Sequence, residues 1–169
     1  MIRRRRLLLG ALPLAAFGLT TGARRGGAGS PARAFEVTRS EQEWKERLTP
    51  EQFYVLRQHG TERAGTSLLD GEERPGTYLC AGCDLPLFAS ATKFHSGTGW
   101  PSFYAPIADA VATSVDKSFF MTRTEVHCRR CGGHLGHVFE DGPKPTGLRY
   151  CMNGVALTFT PAPTPRPEG

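Results

Sequence analysis

Two Cys-x-x-Cys pairs constrain this chain more than any other feature: Cys80-Ala81-Gly82-Cys83 and Cys128-Arg129-Arg130-Cys131. A CxxC turn aims two sulfurs at one point, and two such turns complete a tetrahedron around zinc. The 44 residues between the pairs exceed the usual ribbon spacing, so the fold must bring the turns together. Four thiolates leave no open position, so a single Zn2+ held by Cys80, Cys83, Cys128 and Cys131 would be structural. The alternative is a disulfide within each pair, which an oxidising compartment permits. A bridge across one CxxC closes so short a loop that it contributes little stability.

Charge is divided unevenly along the 169 residues. The formal net charge is +5, but seven of the 21 basic residues lie within residues 1–34, which hold no acid. The rest has 14 basic and 16 acidic side chains, a net of −2, and is a poor phosphate binder, so nucleic acid is not expected as a partner. The start, MIRRRRLLLGALPLAAFGLTTGA, has the basic-then-apolar order of a secretory signal, and Arg3 to Arg6 followed by Leu7-Leu8 resembles the twin-arginine pattern. Ala32-Arg33-Ala34 offers a cleavage site before Phe35. Residues 1–34 are therefore expected to export the protein to the periplasm of a bacterial envelope, or to anchor it in the membrane if they are not removed. No cysteine precedes Cys80, which argues against a lipoprotein. Export of folded cargo by this route suits a protein that loads its metal first. In the body of the chain no stretch approaches the roughly 20 apolar residues of a membrane span.

Residues 35–39 read as a linker, 40–160 as one domain, and the Pro-rich 161–169 as a disordered tail. Ser40-x-x-Glu43 and Thr49-Pro50-Glu51-Gln52 are capping boxes that open two short helices, the second stopped at Gly60. Beyond Gly60, short runs rich in Tyr, Phe, Val and Thr alternate with Gly and Pro. Strands are expected at Tyr78–Cys80, Pro86–Phe88, Phe103–Tyr104, Val111–Val115, Met121–His127, His137–Phe139 and Leu148–Thr160. The fold class is mainly β, antiparallel, with short N-terminal helices.

Cys151 stands apart from the four paired cysteines. It is either a buried bystander or a reactive thiol. Arg149 and Asn153 flank it at two-residue spacing, on the same face of an extended strand, where Arg149 could favour the thiolate. His134 and His137 follow the second CxxC turn in GGHLGHVF. They are surface histidines, or imidazoles that donate to and protonate an oxyanion near the thiol. His59 ends a helix and His127 abuts a metal ligand, so both read as background, while His95 has no assignable role. In SGTGWPSF the glycines allow close backbone approach, and Trp100 is either a core residue or a flat apolar face for a thioether methyl.

Together CAGCDLPLF, SGTGWPSF, TEVHCRRCGGHLGHVF and RYCMN resemble the methionine-R-sulfoxide reductases of the B type, in the same order over about residues 40–160. The resemblance implies two small antiparallel sheets with a four-cysteine zinc clip. It implies reduction of the R epimer of methionine sulfoxide, mostly in proteins, and hence repair of oxidised proteins. Cys151 would be the nucleophile, with His134, His137 and Asn153 placing and protonating the sulfoxide oxygen, and Trp100 holding the substrate methyl. Many members carry a resolving cysteine, in some between the two glycines of the GxGW segment. Here Thr98 occupies that position. The expected Cys151 sulfenic acid would then be reduced directly by a thioredoxin-like protein or a small thiol. A monomer is expected. The competing class is a non-catalytic zinc-stabilised β binding module, which offers no reason for a lone cysteine between Arg149 and Asn153.

Overall fold

The computed structural model describes residues 35–163; the signal read in residues 1–34 and most of the Pro-rich tail lie outside them. Helix α1 spans Glu41–Arg47 and α2 spans Pro50–Gln58. Each starts on the expected capping box. The Ser40 hydroxyl accepts from the Glu43 N–H, and the Glu43 carboxylate accepts from the Ser40 N–H; Thr49 and Gln52 repeat the exchange. These reciprocal bonds satisfy N–H groups that a helix start leaves orphaned. At the far end of α2 the left-handed residue is His59 (φ 55°), one position before Gly60. The helix lays Phe53, Val55 and Leu56 into the core. Among the described residues no helix is long and apolar enough to cross a membrane.

Among the described residues nine strands follow: β1 (Gly76–Cys80), β2 (Pro86–Ala89), β3 (Lys93–Phe94), β4 (Ser102–Phe103), β5 (Val111–Asp116), β6 (Arg123–Cys128), β7 (His134–Phe139), β8 (Arg149–Met152) and β9 (Leu157–Pro161). They form two antiparallel sheets, ordered β2-β1-β9 and β3-β4-β8-β7-β6-β5. Sheet faces meet at an aromatic cluster. Phe88 of the small sheet stacks on Phe103 of the large one, centroids 4.4 Å apart, and Tyr78 meets Phe103 edge-on at 4.9 Å. All three are fully buried. Burial of one such ring is worth about 1.5–3 kcal/mol.

The run Leu148–Thr160, expected as one strand, is two strands in different sheets. A 3-10 turn at Gly154–Ala156 carries the chain from β8 to β9. The turn is held from outside its own segment: the Glu62 carboxylate accepts from the N–H groups of Gly154 and Val155. Gly154 admits this crossing because a Cβ there would strike Ser67. Cys151 is thereby placed in the last turn of sheet before the chain leaves it.

Residues read as a linker also make contacts. The Val37 N–H donates to Arg130 O at 3.0 Å, and Glu36 pairs with Arg129 at 2.6 Å. Phe35 fills the space that a side chain at Gly132 (φ 69°) would need.

Candidate active site and metal centre

The two CxxC turns are built alike, and their backbones explain why their sulfurs converge. Cys80 N–H donates to Leu85 O and Cys128 N–H to Gly133 O, each at 2.9 Å. Asp84 N–H returns to Cys80 O and Gly132 N–H to Cys128 O, each at 2.8 Å. Asp84 (φ 59°) and Gly132 (φ 69°) supply the left-handed residue that closes each loop. The turns end β1 of the small sheet and β6 of the large one, so the cluster clips the sheets together. Cys80 Sγ lies 3.7 Å from Cys131 Sγ, and Cys83 Sγ lies 3.5 Å from Cys128 Sγ. All four sulfurs fall within 4.8 Å of one another, and none is bonded to another. A tetrahedral ion with metal–sulfur bonds of about 2.3 Å has sulfur–sulfur edges of about 3.8 Å. The cluster therefore fits a metal rather than two disulfides. Guanidinium groups surround it. Arg47 donates to Gly82 O at 2.8 Å, Arg57 to Cys131 O at 3.0 Å and Arg130 to Cys83 O at 3.2 Å. These charges offset the negative charge that four thiolates bring to a divalent ion.

Cys151 sits elsewhere. It faces His137 directly across the β7–β8 ladder and Ser102 across the β4–β8 ladder. Residues paired in this way project from the same face of the sheet. The same row continues from His137 to Glu125 on β6 and from Glu125 to Ser114 on β5. Cys151, His137, Asn153, Trp100, Arg123 and Phe139 line a pocket of about 110 Å³. A larger apolar groove of about 970 Å³ runs between α2 and β9, past Tyr54, Leu68, Val155 and Phe159, and holds no thiol. The smaller pocket, unlike the groove, joins a thiol, an imidazole and a side-chain amide.

Four of the pocket side chains, His137, Arg123, Asn153 and Trp100, are held by hydrogen bonds. His137 Nε2 is 2.7 Å from the Asp116 carboxylate, which also accepts from Arg123 at 2.7 Å. The Ser118 N–H and hydroxyl, with the His137 and Arg123 bonds, hold the Asp116 carboxyl well below the usual carboxylate range. Asn153 donates through Nδ2 to Leu135 O at 3.0 Å and accepts at Oδ1 from Glu62 N–H at 3.0 Å. An amide nitrogen has two hydrogens, so one remains for an oxygen in the pocket. Trp100 Nε1 donates to Glu62 O at 3.2 Å. Glu62 thus ties Trp100, Asn153 and the Gly154 turn together, and nothing in the Gly60-Thr61-Glu62 loop sequence signals it.

His134 does not line the pocket. It stands behind His137, ring centroids 5.4 Å apart, with Nδ1 2.8 Å from Glu125 Oε1. Residues three apart in a regular strand point to opposite faces. A bulge in β7 between the pairs Val126↔Gly136 and His127↔His134 turns His134 back to the His137 side. Gly136 is required there, since a Cβ would collide with the Cys151 carbonyl. His59, read as background, joins the same carboxylate, with Nδ1 3.0 Å from Glu125 Oε1. His95 is exposed and lines a separate pocket with Lys93 and Asp70.

The Cys151 thiol is half-buried, and its environment differs from the sequence expectation. Burial pushes the thiol up, and this outweighs the pull of Thr98, Arg149 and Ser102. Arg149 is near the sulfur, but its guanidinium is bound at both ends to Asp141, at 2.9 and 2.8 Å. Burial therefore favours the protonated thiol over the thiolate. Alkylation of Cys151 by iodoacetamide is expected to climb about tenfold per pH unit and to go on rising past the ordinary cysteine pKa of about 8.5. A plateau below that pH contradicts this assignment.

Thr98 lies at the sulfur, Oγ1 3.9 Å from Cys151 Sγ, and its hydroxyl is 2.8 Å from Ser96 Oγ. The other four cysteines are gathered at the clip.

A family model described as the SelR domain matches residues 48–161. A peptide methionine sulfoxide reductase MsrB of Leptospira interrogans is 56% identical over 126 residues, 74% of this chain and 96% of that protein. A protein of the same name from Methanosarcina barkeri is 60% identical over 124 residues, 73% of this chain and 87% of its own length. The chloroplastic peptide methionine sulfoxide reductase B1 of Arabidopsis thaliana is 60% identical over 119 residues, 70% of this chain and 59% of that protein. With two sheets, a four-thiol clip and a separate thiol pocket already in place, these matches decide the matter: the chain belongs to the SelR-domain family of B-type methionine sulfoxide reductases, and is a thiol-dependent oxidoreductase.

Proposed function

We propose that this protein reduces the R epimer of methionine sulfoxide in proteins, with Cys151 as nucleophile. The observation that carries this reading is the direct pairing of Cys151 with His137 in a small pocket closed by Trp100. Two electrons pass from the Cys151 sulfur to the sulfoxide sulfur as the thiol attacks it. The Cys151 sulfur bonds to the substrate sulfur; the sulfur–oxygen bond and then that sulfur–sulfur bond break as the protonated oxygen passes to the Cys151 sulfur, so methionine leaves and Cys151 is left as sulfenic acid. His137, whose Nε2 is held by Asp116, takes the thiol proton on its other ring nitrogen and passes it to the sulfoxide oxygen; the free Asn153 N–H orients that oxygen. His134 acts through His137, as the group packed behind it. Trp100 and Phe139 receive the substrate methyl, so that only one sulfur epimer puts its oxygen toward the donors.

The clip residues Cys80, Cys83, Cys128 and Cys131 would hold one structural Zn2+, whose chemistry is coordination alone. Zinc is favoured because four thiolates at tetrahedral edges are its preferred structural set. With Thr98 where a resolving cysteine would stand, the sulfenic acid is reduced by an external thiol, from a thioredoxin-like protein or a small molecule. The leader-like residues 1–34 would direct the protein to the bacterial envelope, to act on oxidised proteins there.

Turnover of the separated R and S sulfoxides of a blocked methionine, with dithiothreitol as reductant, tests the reading. Activity on the R form alone is expected. Activity confined to the S form, or on neither, overturns it.

A further inference from the structure

A third imidazole closes over the back of the site. His59 takes the left-handed conformation (φ 55°, ψ 33°) that caps α2. That conformation is open to His more readily than to a β-branched residue. It lays the His59 ring beside His134, centroids 5.3 Å apart. Both Nδ1 atoms meet one carboxylate oxygen, with Glu125 Oε1 3.0 Å from His59 and 2.8 Å from His134. The three ligand atoms lie within 4.8 Å of one another. Ser114 donates to the other Glu125 oxygen at 2.5 Å and fixes the carboxylate plane. His134 Nε2 is buried without a hydrogen-bond partner, so Glu125 is the only polar tether of that ring among the described residues.

We propose that His59, Glu125 and His134 form a second metal site, which takes a borderline divalent ion such as Zn2+, Ni2+ or Co2+ and is independent of the four-thiol clip. Two imidazoles and one carboxylate suit these ions, and too few oxygens are present for Ca2+ or Mg2+. An ion with bonds of about 2.1 Å keeps neighbouring ligand atoms roughly 3.0–3.4 Å apart. Two of the three spacings here, 2.8 and 3.0 Å, lie just below and at the edge of that range, so a small opening admits the ion. The His59 side chain is 65% exposed, whereas those of Glu125 and His134 are 11% and 3% exposed. The ion therefore enters from the His59 side and completes its shell with water. His59 is one clamp arm on a buried pair, and it is the ligand whose loss leaves the core packing untouched.

The test is a cobalt titration of the zinc-loaded protein with Cys151 blocked by iodoacetamide. Expected is one further equivalent of Co2+ per chain, with the weak visible absorption of nitrogen and oxygen ligands and no thiolate-to-cobalt band. His59→Ala is expected to weaken that binding by about tenfold or more while the first zinc is retained. No further equivalent, a thiolate band, or unchanged binding in His59→Ala overturns the proposal. The readout is metal binding, so it fails or stands separately from the reductase reading.

Discussion

Cys151→Ser is expected to abolish sulfoxide reduction, by at least about a thousandfold, while metal content and folding stay unchanged. The hydroxyl is nearly isosteric with the thiol, and the site is half-buried, so the substitution disturbs little packing. What it removes is the only sulfur in the pocket. Serine cannot take up the two electrons' worth of oxidation that a sulfenic acid represents, so no alternative route through residue 151 remains. The His137, Asn153 and Trp100 contacts survive the change because none depends on the sulfur: His137 is held by Asp116, and Trp100 by the Glu62 carbonyl. Binding should therefore persist. Turnover and zinc content measured on the same preparation separate this outcome from simple misfolding.

Removing the clip should have the opposite pattern, damaging the fold first and the chemistry as a consequence. Cys128→Ser, or exhaustive chelation, is expected to eliminate cooperative thermal unfolding together with activity. Structural zinc contributes apparent free energies of about 10–16 kcal/mol in small domains. A domain of this size is stable by only about 5–15 kcal/mol. The clip joins β1 of one sheet to β6 of the other, and without the ion it leaves four sulfurs within 4.8 Å of one another, three of them buried. Circular dichroism melts of the metal-free protein, before and after zinc is restored, read the effect directly. An unchanged melt would show that the aromatic cluster of Tyr78, Phe88 and Phe103 holds the sheets alone.

Features legible in the sequence were those with local causes. Both helices begin where a hydroxyl and a Glu or Gln lie three residues apart, since a capping box is complete within four residues. Each metal knuckle is likewise a single turn of chain, closed by Asp84 or Gly132. The motif set also located Cys151, His137, Asn153 and Trp100, which meet in one pocket. Features that depend on distant partners were not legible. The two-residue strands at Lys93 and Ser102 exist only through pairing with each other and with β8. Reading Leu148–Thr160 as one strand misses the switch between sheets, because the turn at Gly154 is fixed by a glutamate 92 residues away. The bulge that brings His134 to the His137 side cannot be read from spacing, which places them on opposite faces. His59 gained its neighbours from the left-handed end of α2. The thiol's environment followed the same rule: Arg149 was visible beside Cys151, but Asp141, which engages it, and the burial that dominates were not.

Mass analysis after a single turnover tests the central claim most directly. The protein is mixed with one equivalent of R-sulfoxide and no reductant, then trapped with dimedone and digested. The account predicts the dimedone adduct on the Cys151 peptide, with one methionine released per chain and Cys80, Cys83, Cys128 and Cys131 unmodified. Methionine released while Cys151 remains a free thiol, or a disulfide between Cys151 and a clip cysteine, would contradict it.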